Sequence, residues 1–283
     1  MRPWNERLLL GAVSLLVFTP LPRVTAQTPA TEATTDLRGI VDGILAAWEH
    51  ADVICLGEGH GDQNDADLRI ALVRHPDFAR RVAVIVVEFG DVAQQPLLDR
   101  LILEGERLSR DQLRQVWSTA RGAEVWESPV YEAFLRAVSD VNRQLTRERR
   151  VRVLAGDDPA RANRGGAIRE LIRREILDKQ MKGLAIYGAR HCERRGFGFP
   201  GELADRYPGK IWSAFGFYDV EAGRRILGLG SEPQLVPVTG TDRSRIPVGR
   251  MFFTGMANDP ATLENIANAI VYYGDRSRRS PDR

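Results

Sequence analysis

Residues 53–60 read Val-Ile-Cys-Leu-Gly-Glu-Gly-His, an apolar run that stops at a glycine, with a histidine three residues after that glycine. The same pattern returns at residues 184–191, which read Leu-Ala-Ile-Tyr-Gly-Ala-Arg-His. A short apolar run bounded by glycine is typical of a strand that is buried on both faces of a parallel sheet. The two stretches therefore predict two such strands, each with a histidine, His60 or His191, just beyond its carboxyl end.

Acidic residues follow the neighbouring apolar runs in the same way. One run, residues 82–87, ends in a glutamate, and another, residues 151–155, is followed by glycine and two aspartates. Ligands of open α/β sheets bind at the carboxyl ends of the strands, so we expect these acids to share one edge with the two histidines. The candidate acids at this edge are Glu58, Glu88, Asp157 and Asp158.

Stretches with the apolar spacing of a helix separate the strands. Strands that alternate with helices predict an α/β fold, with a mainly parallel central sheet and helices on both of its faces. Several further helices are predicted within residues 92–148, where they would form a helical cap over one end of the sheet. The other predicted elements are helices at 37–50, 63–74, 163–178 and 260–273 and a strand at 211–218, and residues 233–250 are predicted to be irregular.

The first 26 residues have the pattern of a signal peptide. Arg2 and Arg7 give a basic start, residues 8–18 are apolar, and Val-Thr-Ala at 24–26 supplies the small residues that signal peptidase prefers. The apolar stretch is shorter than the roughly 20 residues that span a bilayer. We therefore predict export and cleavage near residue 26, with an uncleaved membrane anchor as the alternative.

After cleavage, residues 27–36 form a polar leader, and residues 37–283 have the length of one large α/β domain. Cleavage removes three of the 40 basic residues and one of the 38 acidic residues, which leaves a neutral mature chain. A neutral chain lacks the clustered basic face of nucleic-acid-binding proteins. We expect a periplasmic or secreted protein without stable membrane insertion, with a small-molecule or peptide substrate and no nucleic-acid partner.

The two cysteines adjoin the two motifs. Cys55 lies in the first strand and Cys192 directly follows His191. A disulfide is permitted in an exported protein. If the two strand ends are neighbours, the cysteines are either bridged or within reach of a metal; the alternative is two separate small buried residues.

The side chains at the predicted edge suit two kinds of chemistry. A neutral imidazole takes a proton from water near neutral pH, and a neighbouring carboxylate orients the ring. Arg69, on the helix after the first strand, supplies a fixed cation for a developing oxyanion or a substrate carboxylate. Two histidines with carboxylates also suit a divalent metal such as manganese, zinc or cobalt, and the sequence leaves this choice open. The metal ligands in that case are His60, His191, Glu58 and Glu88.

Residues 56–61, Leu-Gly-Glu-Gly-His-Gly, then Arg69 and then Val-Glu-Phe-Gly at 87–90, resemble the erythromycin esterase-like family. That family has a glycine-glutamate turn with a histidine-glycine pair, an arginine on the following helix and a glutamate at the end of the next strand. The wider group includes the ChaN-like haem-uptake lipoproteins and the Tiki/TraB proteins, the latter with paired Gly-x-x-His motifs such as those at 57–60 and 188–191. The single residue between glutamate and histidine is similar to the ChaN-like spacing.

The resemblance implies an exported hydrolase that activates water at a His/Glu site and cleaves an ester or an amide. The alternative is a non-catalytic haem- or metal-binding uptake protein that uses the same pocket, with one of the two histidines as axial ligand. By position, the resemblance implies His60 as general base, Glu58 and Glu88 as its supports, Arg69 as electrostatic partner, His191 as a second catalytic or ligating imidazole, and Asp158 as the aspartate that follows the third strand.

Overall fold

The computed structural model describes residues 36–196, 198–250 and 260–279. The predicted signal peptide and most of the polar leader lie outside the described residues. None of the described helices combines the length and the apolar composition needed to cross a bilayer. The strands of the described ranges are β1 (Val53–Glu58), β2 (Val84–Asp91), β3 (Arg152–Asp157), β4 (Gly183–Gly188), β5 (Ile211–Phe217), β6 (Gln234–Pro237) and β7 (Ala269–Tyr272). The helices are α1 (Arg38–Ala47), α2 (Gln63–Arg74), α3 (Phe78–Arg81), α4 (Gln95–Ile102), α5 (Arg110–Arg114), α6 (Pro129–Asn142), α7 (Arg164–Ile172), α8 (Phe199–Ala204) and α9 (Val220–Leu227).

The strands form one seven-stranded sheet in the order β3-β2-β4-β1-β5-β7-β6. All the described pairs are parallel except β6 with β7. Helices cover both faces, so the predicted α/β class with a mainly parallel sheet is confirmed. The two strands that carry the Gly-x-x-His motifs, β1 and β4, are direct neighbours, and their register pairs Glu58 with Gly188.

Alternate residues of β1 enter different apolar layers, as the two-residue period of a strand requires. Ile54 and Leu56 belong to the core beneath α1, α2, α4 and α6, whereas Val53 and Cys55 face the layer formed by α7 and α8. Each fully buried aliphatic side chain of this kind contributes about 1.5–3 kcal/mol. This burial on both faces explains why the strand reads as an unbroken apolar run until Gly57.

Helix α2 begins and ends at the residues that the sequence predicts. The side chain of Asp62 accepts hydrogen bonds from the backbone N–H groups of Asn64 and Asp65 and so caps the first turn. At the other end His75 adopts an extended conformation before Pro76, because a proline disfavours helical geometry in the residue before it. The helix therefore starts five residues after the end of β1, with its first turn beside the Gly-Glu-Gly-His segment.

The last third of the chain differs from the prediction. The helix expected at 260–273 is wrong: residues 263–265 form a single 3₁₀ turn, and Ala269–Tyr272 form strand β7. This strand lies between β5 and β6, where its four residues are buried. A four-residue apolar run fits a buried strand as well as a helix, and the neighbouring strands decide between them. The expectation of irregular structure at 233–250 also missed β6.

The two cysteines form a disulfide. Cys55 and Cys192 are bridged, with their Cα atoms 5.5 Å apart, which is one of the arrangements that the sequence left open. Cys192 ends a 3₁₀ turn, Ala189–Cys192, that carries His191. The bridge thus ties this turn to the central strand. The 3₁₀ turn can pack closely against β1 because residue 57 is glycine: a Cβ there would lie 2.9 Å from the Cα of Ala189.

We expect the disulfide to stabilise the fold under oxidising conditions. The bridge closes a loop of 137 residues, for which the chain-entropy relation gives at most about 5 kcal/mol. Thermal unfolding of the wild type should therefore shift to lower temperature on addition of reductant. The double variant Cys55→Ser/Cys192→Ser should melt at the lower temperature with or without reductant. A reductant effect of equal size in the double variant would contradict this assignment.

Candidate active site

The carboxylate of Glu58 holds the first histidine. Its side chain is only 1% exposed, and its Oε1 lies 3.0 Å from Nδ1 of His60. Tyr131, at the start of α6, donates its hydroxyl to the same oxygen at 3.1 Å and accepts the N–H of Gly61 at 2.9 Å. An ionised Glu58 accepts the Nδ1 proton, so the neutral imidazole carries its lone pair on Nε2.

The other oxygen of Glu58 pairs with a buried arginine. Nη1 of Arg69, on α2, contacts Oε2 of Glu58, and both side chains are 1% exposed. The guanidinium also lies over the rings of Tyr131 and Phe134, at 5.9 and 5.8 Å from their centroids. A buried carboxylate is tolerated when a cation and hydrogen-bond donors satisfy it, and the Arg69 pair meets that need. Arg69 is therefore the buried partner of Glu58, whereas the sequence led us to expect that it serves a developing oxyanion or a substrate carboxylate.

His60 is the accessible part of this arrangement. Its side chain is 37% exposed, and its ring packs edge-to-face on Trp126 with 4.6 Å between centroids. Burial lowers the pKa of His60 below 6.5; the charge of Glu88 opposes this shift and that of Arg164 adds to it. The imidazole is therefore largely neutral at pH 7, the form that accepts a proton.

Glu88 forms a second charged cluster beside the first. Its Oε1 accepts from Nη2 of Arg164 at 2.5 Å, and its Oε2 accepts the N–H of Gly188 at 2.5 Å. Arg164 is the first residue of α7, and its Nε also pairs with Asp157 at 3.2 Å. The ends of β2, β3 and β4 are thus joined through one guanidinium and one backbone amide.

His191 lies at the edge of this second cluster. Its Nε2 is 3.4 Å from Oε1 of Glu88, and its side chain is 19% exposed. Burial lowers the pKa of His191 as well; Glu88 opposes the shift, whereas Arg164 and His60 add to it. The charge of Glu88 therefore acts on both histidines named from the sequence.

The two aspartates after β3 separate into different surroundings. Asp157 is buried and, besides Arg164, accepts the N–H of Arg121 at 2.8 Å. Asp158 instead accepts the N–H of Ala160 at 3.2 Å and pairs with the exposed Arg161 at 3.5 Å. The structure thus places Asp157 in the cluster and Asp158 in a surface turn, although the family resemblance favours Asp158.

The predicted metal set does not come together. Among the described residues, no group of three or more histidines, cysteines, aspartates or glutamates is disposed to hold a metal ion. The physical reason lies in the pairing of the acids, since Arg69 occupies Glu58 and Arg164 occupies Glu88. A guanidinium beside each carboxylate cancels the negative charge that attracts a divalent cation.

Sequence reasoning missed four residues of the site. Trp126 and Tyr131 come from residues 92–148, and nothing in the local sequence shows which side chains of that segment reach the sheet edge. Arg164 did leave a signal, because it begins the helix after an acidic strand end, much as Arg69 lies on the helix after Glu58. Asp65 was read only as part of α2, although its carboxylate accepts the N–H of Gly59 at 2.8 Å.

Residues 44–164 match a protein family described as haem-binding uptake, Tiki superfamily, ChaN. This match covers β1 to β3, with the first motif and Glu88. It confirms the likeness to the ChaN-like and Tiki group that the motifs predict. No curated protein matches the chain significantly.

Three solved structures are similar to the chain. A protein from Bacillus cereus has a TM-score of 0.50 and 10% identity, and covers 88% of this chain and 93% of its own. At this identity the likeness is one of fold. ChaN of Campylobacter jejuni, whose structure shows cofacial haem binding, has a TM-score of 0.42 and 18% identity over 63% of this chain and 86% of its own. RRSP, an effector domain of a MARTX toxin from Vibrio vulnificus, has a TM-score of 0.37 and 18% identity over 58% of this chain and 33% of its own.

Replacing Arg164 by alanine should destabilise the protein by about 2–4 kcal/mol. The change leaves the buried Glu88 without its cation, and the figure lies somewhat below the roughly 3–5 kcal/mol of a fully buried pair because Arg164 is 27% exposed. Arg161→Ala is the matched control, since its pair with Asp158 is exposed and should change stability by less than about 1 kcal/mol. Urea unfolding of both variants measures the difference. Equal losses would contradict the importance of the Glu88 pair.

A methyl group at residue 188 should displace His60 without changing any titratable group. A Cβ on Gly188 would lie 2.8 Å from Cε1 and 2.9 Å from Nε2 of the imidazole. In Gly188→Ala the ring should move into solvent, so the pKa of His60, followed by NMR, should rise toward 6.5. Gly39→Ala, where a Cβ meets nothing within 4 Å, should leave that pKa unchanged. An unaltered His60 pKa in Gly188→Ala would show that the ring does not lie over Gly188.

Proposed function

We propose that the protein is a hydrolase that activates water at His60 and cleaves an ester or an amide. The observation that carries this proposal is the Glu58–His60 pair: a buried carboxylate 3.0 Å from Nδ1, and an imidazole that is accessible and kept neutral by burial. This is the arrangement of a general base oriented by an acid. The substrate is a small molecule or a peptide, as the sequence led us to expect.

The residues of the site account for each proton and charge in such a reaction. Nε2 of His60 takes a proton from water as the water oxygen bonds to the carbonyl carbon. Arg164, which is 27% exposed and whose charge acts on both histidines, stabilises the negative charge that forms on the carbonyl oxygen. When the tetrahedral intermediate collapses, the His60 imidazolium returns the proton to the leaving alcohol or amine. His191 lies beside the same acid, Glu88, where it can assist that transfer.

The disulfide agrees with an exported protein, because disulfides persist in oxidising compartments. A periplasmic or secreted location, with the first 26 residues as signal peptide, is therefore part of the proposal. It is tested by the N-terminal sequence of the mature protein.

Replacing His60 by alanine should lower hydrolysis of 4-nitrophenyl acetate by at least ~10²-fold, the contribution of a general base. In the wild type, kcat/KM should rise with pH as the imidazole loses its proton, with a midpoint below 6.5 because burial lowers the pKa of His60. His50→Ala, a change of an exposed histidine outside the site, is the control. Undiminished turnover by folded His60→Ala would exclude His60 as the base.

Haem binding is the second candidate function, favoured by the family match over residues 44–164. The site has features that fit haem. His60 is the more exposed of the two motif histidines. Two exposed valines are neighbours in sequence of site elements: Val92 directly follows β2, and Val125 directly precedes Trp126. If haem binds, His60 or His191 would hold the iron through an imidazole nitrogen, and the protein would bind or carry haem rather than catalyse a reaction.

Titration with haemin tests this alternative. Binding should give a Soret band that shifts and weakens in His60→Ala, with little change in His50→Ala. A Soret band of equal position and strength in both variants would exclude His60 as the iron ligand. If hydrolysis needs His60 and no haem complex forms, only the hydrolase proposal remains.

A further inference from the structure

We propose that Asp65 is a positioning residue for His60: its buried carboxylate, held by Tyr218 and Tyr273, fixes the backbone of the turn that presents the imidazole. The catalytic consequence rests on the proposed function, whereas the positioning of His60 does not. Asp65 lies in the first turn of α2 and does not touch the reacting groups. It would act through the backbone of Gly59.

Three donors converge on this carboxylate. Oδ2 accepts the N–H of Gly59 at 2.8 Å and the hydroxyl of Tyr218, and Oδ1 accepts the hydroxyl of Tyr273 at 2.6 Å. The hydroxyl of Tyr218 is also 3.2 Å from the nitrogen of Gly59. Asp65 itself is 4% exposed. The backbone on the amino side of His60 is therefore bonded to a group that cannot move freely.

The two tyrosines connect this carboxylate to the sheet. Tyr218 directly follows β5 and Tyr273 directly follows β7, and their rings stack with 5.6 Å between centroids. The packing is close: a Cβ on Gly216 would lie 2.9 Å from Oδ1 of Asp65. Asp65 thus links the turn after β1 to the ends of two strands on the side away from Glu88.

Tyr131 of α6 holds the turn on its other side. The N–H of Gly61 donates to the hydroxyl of Tyr131, so both residues that flank His60 have their amides bonded to buried side chains. The carbonyl of Gly59 also accepts the N–H of Asp62 at 3.0 Å. With the backbone fixed in this way, the position of the imidazole depends on its side-chain torsions and on its bond to Glu58.

Burying the carboxylate of Asp65 to hold this turn costs free energy. Burial raises the pKa of Asp65 to about 7 and the charge of Asp62 adds to this, although the hydroxyls of Tyr218 and Tyr273 and the N–H of Gly59 favour the ionised form. Apolar residues in place of a buried charged group often leave a protein equally or more stable. The function of His60 gives a reason for keeping an acceptor that an apolar side chain cannot supply.

The pKa of His60, measured by NMR of the imidazole nitrogens, tests the proposal without a substrate. Asp65, with a pKa of about 7, is largely protonated at the pH where His60 titrates, and what charge it keeps raises the pKa of His60, so loss of that charge alone can only lower it. Loss of positioning exposes the imidazole to water and raises it toward 6.5. Asp65→Ala should therefore raise the pKa of His60. It should also lower the fraction of the neutral imidazole that is protonated on Nδ1. Asp65→Asn, whose amide oxygen still accepts from Gly59, should not raise it.

Two adjacent tyrosines provide the matched control. Tyr273→Phe removes a hydroxyl from Asp65, whereas Tyr272→Phe removes one that donates to the carbonyl of Gly230 at 3.0 Å. We expect a small rise of the His60 pKa in Tyr273→Phe and none in Tyr272→Phe. If Asp65→Ala does not fold, Tyr273→Phe and Asp65→Asn carry the test. Equal responses in the two tyrosine variants, or a fall of the His60 pKa in Asp65→Ala, would overturn the proposal.

Hydrolysis of 4-nitrophenyl acetate separates this proposal from the function on which it rests. If His60 is the base, Asp65→Ala should lower kcat by about 10- to 100-fold with KM little changed, because a misplaced base costs rate rather than binding. Asp65→Asn should recover most of that loss. No hydrolysis by the wild type, with the expected His60 shifts, would remove the hydrolase and keep the positioning role. If hydrolysis needs His60 but not Asp65, and the pKa of His60 does not shift in the Asp65 variants, the hydrolase is kept and the positioning role is removed.

Discussion

The carboxylate of Glu58 is buried at the end of the central strand, and the site depends on the pairing that makes this burial possible. A carboxylate taken out of water without partners costs several kcal/mol, so its neighbours are strongly constrained. Arg69 meets one oxygen from α2, and Tyr131 and His60 meet the other. The pairing therefore fixes three things together: the position of α2 through Arg69, the position of α6 through Tyr131, and the orientation of the first histidine. Glu88 repeats the arrangement one strand further, with Arg164 as its cation.

These pairs give the site a buried frame in which His60 is the most accessible of the groups proposed to react. The acids and Arg69 are almost wholly buried, whereas His60 keeps more than a third of its side chain in contact with solvent. Trp126 packs against the ring from the cap. The frame keeps the imidazole neutral through burial and supplies a cation beside it through Arg164. Such a frame suits the proton transfer that the proposed hydrolysis requires.

Much of the sheet and its chemistry was predictable because the signals are local. The apolar runs at 53–56 and 184–187 lie in strands, as does the run at 82–87 from Val84 onward, because burial on both faces acts along the whole run. Helix α2 has the predicted bounds because capping and the proline rule act within a few residues. The two motifs were predicted to meet, and the register of β1 with β4 brings them side by side. The helix predicted at 260–273 failed because a short apolar run carries no period that separates strand from helix. The predicted metal ligands form no metal site among the described residues. The sequence shows the two glutamates but not the arginines that pair with them and neutralise their charge.

The sequence by itself determined where the buried strands run and which polar residues stand near their ends, since a strand buried on both faces needs an unbroken apolar run wherever it lies in the sheet. It also determined the chemical types present there: two imidazoles, several carboxylates and a nearby arginine. The tertiary structure alone decided how these groups are partnered. Arg164 meets Glu88 across 76 residues of chain, and Tyr273 meets Asp65 across 208. Such contacts follow from strand order and from the packing of the helices on the sheet. They settle whether an acid is a metal ligand, one half of an ion pair or the support of a turn.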